Sequence, residues 1–477
     1  QMNLFKDMVC YQEEVRDPSR MAEVLNRVIE KAIRGSAPAQ INVPRDYWTQ
    51  VIDIELPPII RLERQAGGAD AINEAAKILS DAKFPVILSG AGVVIGGAIK
   101  DCVKLAERLD SPVCSGYQHN DSFPGSHPLA VGPLGYNGSK AAMELISKAD
   151  VVLALGTRLN PFSTLPGYGI DYWPKNAKII QVDMNSDRIG LTKKVTVAIC
   201  GDAKMVSQQL LSKLSTKAGD TDRQKRKDLI HQTKSAWLQK LASLDHEEDD
   251  PGTVWNKEAR ERDKDRMSPR QSWRAIQAGM PEDVIISSDI GNNCAIGNAY
   301  PTFEKGRKYL APGLFGPCGY GFPSILGAKI GCPDTPVIGF AGDGAFGISM
   351  NEMSSCARKE WPAITMVIFR NYQWGAEKRN SILWFDDNFV GTELDPELSY
   401  AKVADACGLK GITVKTMEET TKAIKQSCED QKKGITTFIE VILNQELGDP
   451  FRRDAMKKPV RVAGIQKTDM KSQKGLN

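Results

Sequence analysis

Short apolar runs, each ending in glycine or a small polar residue, alternate with amphipathic stretches along most of the chain. FPVILSG (84–90), SPVCSG (111–116), DVVLALG (150–156) and AKIIQVD (177–183) read as buried strands. IKDCVKLAERL, from residue 99, and SKAAMELISKA, from 139, carry apolar positions at helical spacing between them. The pattern returns with DVIISSD (283–289), PVIGFAG (336–342), ITMVIFRN (364–371) and TTFIEVIL (436–443). Strand and helix alternating in this way predict parallel sheets with helices on both faces. The expected fold is α/β, built of successive doubly wound domains. One such domain spans 69–215 and another 267–447. Near the start, an amphipathic helix, MAEVLNRVIEKAIRG with its stop at Gly35, precedes a short strand, AQINVP. One helix and one strand do not make a domain, so residues 1–55 read as the end of a domain that begins upstream of Gln1. Pro57-Pro58 and Gly67-Gly68 mark a linker.

Residues 216–266 break the pattern. They are dense in charge of both signs, as in TDRQKRKDL and NKEARERDKDRM, and predict a solvated linker with some exposed helix. The tail, 448–477, is basic. No internal repeat of solenoid period is present.

Composition narrows the picture by exclusion. A formal charge of +3 over 477 residues is too small for a protein whose main partner is nucleic acid. No apolar run reaches the length of a membrane span. The first residues lack the basic and apolar regions of a signal peptide. The ten cysteines include no C-x-x-C pair, so neither structural zinc nor dithiol redox chemistry is expected. The cytoplasm is the expected compartment.

The most informative segment is GDGAFGISMNEM, 342–353, taken with Asn371. Asp343 and Asn371 each follow a predicted strand, which brings them to one edge of a parallel sheet, where open α/β sheets bind ligands. A carboxylate with an amide oxygen suits a hard cation such as Mg²⁺, which also seeks phosphate oxygens. Gly342 and Gly344 allow close approach of a phosphate, and the following helix directs N–H groups at it. The pair reads as a clamp for a metal diphosphate.

This arrangement resembles the thiamine-diphosphate signature of the acetolactate synthase-like enzymes. The resemblance extends over nearly the whole chain. It implies the end of a pyrimidine-binding domain (1–55), a middle Rossmann-like domain (69–215) and a diphosphate-binding domain (267–447). It implies Mg²⁺ held by side-chain oxygens of Asp343 and Asn371 and by the Gln373 carbonyl, with Ala345 and Phe346 adding backbone contacts to the diphosphate. Gly291 and Asn292 would lie near the diphosphate as well, and Gly316 would offer its carbonyl to the pyrimidine amino group. Cys318 stands where the family has a bulky apolar residue that keeps the cofactor bent. Arg370 replaces the first of two asparagines in the family motif, a departure read as minor because the second, Asn371, is the ligand. The glutamate that activates the cofactor in the family would precede Gln1, so no catalytic residue is assigned and residues 1–477 alone are expected to be inactive.

The middle domain opens with SGAGVVIGG, 89–97, a glycine-rich turn after a strand. No acidic residue closes the next strand, so the turn is a weak dinucleotide signal. Family members hold FAD, ADP or nothing there, and flavin is not expected here. His119 and His127, in GYQHNDSFPGSHPL, belong either to an ordinary polar loop or to one that borders the active site.

Within the family, FGPCGYGFPS, FRNYQWGAEKRN, LWFDDNFVGTELD and DPFRRDAMKKPVRVAGI resemble the branch that takes sulfoacetaldehyde and phosphate to acetyl phosphate and sulfite, in the degradation of sulfonates such as taurine. Two anionic reactants need cationic contacts, for which Lys378, Arg379, Arg452 and Arg453 are candidates. The family's active sites form between subunits, which implies a homodimer or homotetramer. The alternatives are an acetolactate synthase-like enzyme, a 2-oxo acid decarboxylase, or an inactive paralogue lacking the upstream glutamate.

Overall fold

A computed structural model describes residues 1–58, 63–215, 221–243, 261–313, 315–385 and 388–446. The chain divides into two compact units, Gln1–Glu63 and Arg64–Asn477.

In the first unit, β1 (Tyr11–Glu14) pairs in parallel with β2 (Ala39–Asn42). The helix Met21–Gly35 connects them and buries Val24 and Val28 beside Val15. Arg27 reaches from that helix to both oxygens of Glu13 on β1, at 2.8 and 2.9 Å. The helix ends at Ser36 in the left-handed conformation, one residue beyond Gly35.

The second unit contains two six-stranded parallel sheets. The first comprises β3 (Pro85–Ser89), β4 (Val113–Ser115), β5 (Ala130–Pro133), β6 (Val151–Leu155), β7 (Lys178–Asp183) and β8 (Val197–Cys200), in the order β5-β4-β3-β6-β7-β8. This is the doubly wound order of the dinucleotide-binding folds, with its reversal between β3 and β6. β3 and β6 are buried along their whole length, which is why they read as unbroken apolar runs.

The second sheet holds β9 (Ile285–Ser288), β10 (Tyr309–Leu310), β11 (Val337–Gly342), β12 (Thr365–Arg370), β13 (Lys410–Val414) and β14 (Thr437–Ile442). Their order is β10-β9-β11-β12-β14-β13, so the winding reverses between β9 and β11. The carboxyl ends of those two strands are therefore where a ligand is expected. Two aromatic clusters fix these ends from opposite faces. Trp273, on the helix Pro269–Gly279, packs against Phe340 and Phe369 with centroids 4.7 and 5.3 Å away. Its indole N–H donates to the carbonyl of Asn293 at 2.6 Å, anchoring the turn after β9. On the other face Phe346 packs among Phe322, Tyr400 and Phe438, holding the helix Asp343–Ser349 that follows β11.

Two expectations change. The helix Thr221–Ser243 is not simply solvated. Arg226, Ile230, Trp237 and Leu241 form a buried stripe along it, and Arg226 donates to the carbonyls of Leu109 and Asp110 at 2.9 and 3.0 Å. Its many charged neighbours obscure that stripe in the sequence. Residues 216–220 and 244–260 of the same stretch lie outside the described residues. The glycine-rich turn 89–97 also has a packing role: a Cβ on Gly90 or Gly92 would fall 2.6 to 2.7 Å from the backbone of Gly156. Among the described residues no helix is long and apolar enough to cross a membrane.

Candidate functional site

The parallel register pairs Gly342 with Phe369, so β11 and β12 end side by side and place Asp343 next to Arg370 and Asn371. Asp343 is 1 % exposed. Its carboxylate accepts the N–H of Gly344 at 3.0 Å and of Tyr372 at 2.6 Å, and pairs with the Arg370 guanidinium at 3.2 Å. Burial pushes this carboxyl up to about 6, against the pull of Arg370 and the two amides. A bound cation would favour the ionised form.

Tyr372 adopts φ +61°, in the left-handed region, and turns the chain between Asn371 and Gln373. The Arg370 guanidinium covers its ring at 4.3 Å. Asn371 is buried. Gln373 forms an isolated antiparallel bridge with Glu393. The bonds of that bridge run from Trp374 N–H to Thr392 and from Leu394 N–H to Tyr372, which leaves the Gln373 carbonyl outside it. Its side-chain amide donates instead to the Gln445 carbonyl at 3.0 Å.

The turn after β9 faces this edge. Asp289 binds the N–H groups of Ile290, Gly319 and Gly321 at 2.8, 3.1 and 2.7 Å, tying that turn to the segment carrying Gly316 and Cys318. Gly291 has φ +129° and Gly316 φ +70°, conformations that favour glycine. Both side-chain polar atoms of Asn292 are buried without a partner among the described residues. A Cβ on Gly342 or Gly291 would project into open space, whereas one on Gly344 would strike the Trp374 ring at 2.8 Å. Gly344 is thus required by packing, while Gly342 and Gly291 leave room beside the backbone. Open space, an unpartnered buried amide and a hard-oxygen donor set fit a metal diphosphate. Ala345 and Phe346 can offer only backbone here, since the Phe346 ring is committed to the core. Cys318 is exposed, and partial burial pushes its thiol up.

A cavity of about 210 Å³ lies alongside, lined by Ile290, Gly291, Gly313, Phe315, Gly316 and Ala376 from the domain of the second sheet and by Tyr117, Gln118, Tyr136 and Phe162 from that of the first. The loop that carries Gln118 docks on the other domain. Asn120 donates to the carbonyls of Asn298 and Pro301 at 2.9 and 2.8 Å, and Asp121 accepts the N–H of Lys308 at 2.9 Å. Tyr117 and Gln118 therefore border the cavity, but His119 and His127 are not among its lining residues. His127 accepts the Leu129 N–H at 3.2 Å and lies 3.5 Å from Glu107.

Burial pushes His119 down to about 4. Its proton is therefore bound more tightly in the unfolded chain, and stability falls as pH drops from about 6.5 towards 4. At pH 5 the loss from this residue approaches about 2 kcal/mol. Urea unfolding at pH 7.5 and 5.0 should show the difference shrinking by about that amount in His119→Asn. An equal difference in both proteins would contradict it.

Of the anion-binding candidates, Lys378 is held by Glu393 at 2.5 Å, and Arg379 is half-buried on the same helix, Gly375–Trp384, whose Ala376 lines the cavity. Arg452 and Arg453 lie outside the described residues. Gln118 and the Asp343–Arg370 pair are not legible in the sequence as site features. Their signals are contacts between segments far apart in the chain.

Residues 72–210 match the family model for the central domain of thiamine pyrophosphate enzymes, and residues 289–441 match the one for their C-terminal TPP binding domain. The chain belongs to the thiamine pyrophosphate enzyme family. It is 76% identical to a probable sulfoacetaldehyde acetyltransferase of Rhizobium meliloti, over 99% of this chain and 80% of that one. It is 72% identical to a sulfoacetaldehyde acetyltransferase of Roseovarius nubinhibens, over 99% and 78%. Identity to a probable acetolactate synthase large subunit of Methanocaldococcus jannaschii is 28%, over 89% and 70%. Benzoylformate decarboxylase from Polynucleobacter necessarius shares the fold, with a TM-score of 0.71 at 19% identity, covering 94% of this chain and 78% of that one.

Proposed function

We propose that this protein is a thiamine-diphosphate-dependent acetyltransferase that converts sulfoacetaldehyde and phosphate to acetyl phosphate and sulfite. The observation that carries the reading is 76% and 72% identity, over nearly the whole chain, to relatives named for that reaction. The much lower identity to an acetolactate synthase argues against a 2-oxo acid substrate.

The reaction balances internally. The carbon–sulfur bond breaks with its electron pair leaving on sulfite. The aldehyde carbon rises to the acyl level while its neighbour becomes a methyl group, so no outside oxidant is needed. Thiamine diphosphate, when bound, supplies the electron sink for this exchange. The chain's own residues supply position and charge. Asp343, Asn371 and the Gln373 carbonyl would hold Mg²⁺. The open backbone at Gly291 and Gly342, with amides of Ala345 and Phe346 and the side chain of Asn292, would receive the diphosphate. Gly316 would meet the pyrimidine ring, and Cys318 leaves the neighbouring wall smaller than a bulky apolar residue would. Lys378, Arg379, Arg452 and Arg453 are the candidate cationic contacts for sulfonate and phosphate. The cytoplasm and a homo-oligomeric state belong to the same reading.

The test is an assay of the full-length protein with thiamine diphosphate and Mg²⁺. Phosphate-dependent sulfite formation from sulfoacetaldehyde is the expected result. CO₂ release from a 2-oxo acid, with no sulfite from sulfoacetaldehyde, would replace this reading with a lyase or decarboxylase.

A further inference from the structure

Gln118 is 7 % exposed and lines the cavity beside the turn after β9. Among the described residues its side-chain oxygen is buried without a hydrogen-bond partner, and its amide nitrogen has none either. A buried amide left in this state costs stability unless something else completes it.

The surrounding chain holds it in place. The backbone of Gln118 sits at φ +61°, a conformation that an unbranched non-glycine residue adopts only when its neighbours enforce it. The enforcing contact is its N–H to the Asn298 side-chain oxygen at 3.0 Å. Asn298 in turn donates to the Tyr136 carbonyl at 3.2 Å. A Cβ on Gly313 would lie 2.6 Å from the Gln118 side-chain oxygen, so the backbone of that neighbouring segment packs against the amide and leaves no room for a side chain there. The other walls are mainly apolar or aromatic: Tyr117, Phe162, Ile290 and Phe315. Asp289 also lines the cavity, but its oxygens are directed to three backbone N–H groups.

We propose that Gln118 is a substrate-binding residue whose amide hydrogen-bonds an oxygen of a tetrahedral oxyanion, either the sulfonate of the aldehyde or the phosphate acceptor. The inference rests on the function proposed above. A half-turn of the last side-chain torsion presents the N–H₂ end to such an oxygen, and no partner among the described residues opposes that turn. A neutral donor on an apolar wall contributes direction and discriminates by shape. The middle domain thereby helps select a substrate whose cofactor is held by the other domain.

Calorimetric titration of the full-length protein, loaded with thiamine diphosphate and Mg²⁺, tests this with methanesulfonate and inorganic phosphate as probes. Gln118→Ala should weaken one anion at least about tenfold, leave the other within about twofold, and leave cofactor affinity unchanged. The anion that weakens identifies the source. Weakening of both, with unchanged cofactor affinity, would also support the proposal and indicate a shared subsite. Unchanged affinity for both, loss of cofactor affinity in parallel, or a wild type that binds neither anion would overturn it. If Gln118→Ala does not fold, Gln118→Glu, which keeps the shape and repels anions, is judged by the same criteria. Calorimetry needs no turnover, so absence of sulfite release would count against the proposed reaction and leave the Gln118 comparison readable.

Discussion

Asp343→Asn should lower phosphate-dependent sulfite release by about a thousandfold, equivalent to about 4 kcal/mol of transition-state stabilisation. The substitution keeps the side chain's shape and can keep its acceptor for the Tyr372 N–H, so the fold should survive. It removes the charge that a divalent cation would need at the proposed site at the end of β11. The loss should therefore appear first as weaker Mg²⁺ and thiamine diphosphate binding. Trp374 packs against Gly344, so tryptophan fluorescence should change on that binding, and the Trp374→Phe background should lose the change. Raising Mg²⁺ should recover part of the activity. A variant that kept more than a tenth of wild-type activity at ordinary Mg²⁺ would remove Asp343 from the metal site.

Much of this arrangement is legible in the sequence, for a specific physical reason. β3, β6, β11, β12 and β14 are central strands buried on both faces, so their sequences are continuous apolar runs. Polar residues that close such runs stand at the carboxyl edge of the sheet, which is how Asp343 and Asn371 come to be neighbours. Edge strands lack that signature. β5, β8, β10 and β13 all lie at sheet edges, and their sequences do not announce them. β5 contains glycine and proline, β10 has two residues, and KGITV in β13 is only partly buried. The same limit applies at the site. Arg370 can be recognised as an unusual residue in its motif, but not as a partner of Glu440, seventy positions later on β14. Gln118 reaches the site through Asn298, a contact between domains that no local pattern encodes.

Arg370 offers the sharpest test of what that substitution in the family motif does. It is fully buried between Asp343, at 3.2 Å, and Glu440, at 3.6 Å. It also donates to the carbonyls of Asp395 and Leu398, while its guanidinium lies over the rings of Tyr372 and Tyr400. One cation thus faces two buried carboxylates, and the departure from asparagine is structurally consequential. Arg370→Met keeps much of the volume and leaves both carboxylates without their counter-charge. The expected cost is about 3–5 kcal/mol, read from denaturant unfolding of the cofactor-free protein. Glu440→Gln added to Arg370→Met should restore a substantial part of that loss, because one of the stranded charges is gone. Mg²⁺ with thiamine diphosphate should restore another part by neutralising Asp343. A cost below about 1 kcal/mol, or no recovery with Glu440→Gln, would mean that the guanidinium is held by packing and carbonyl contacts and does not balance the two acids. If the recoveries occur, Arg370 is the internal counter-ion that stabilises the clamp before metal arrives, and the metal takes over part of that role when it binds.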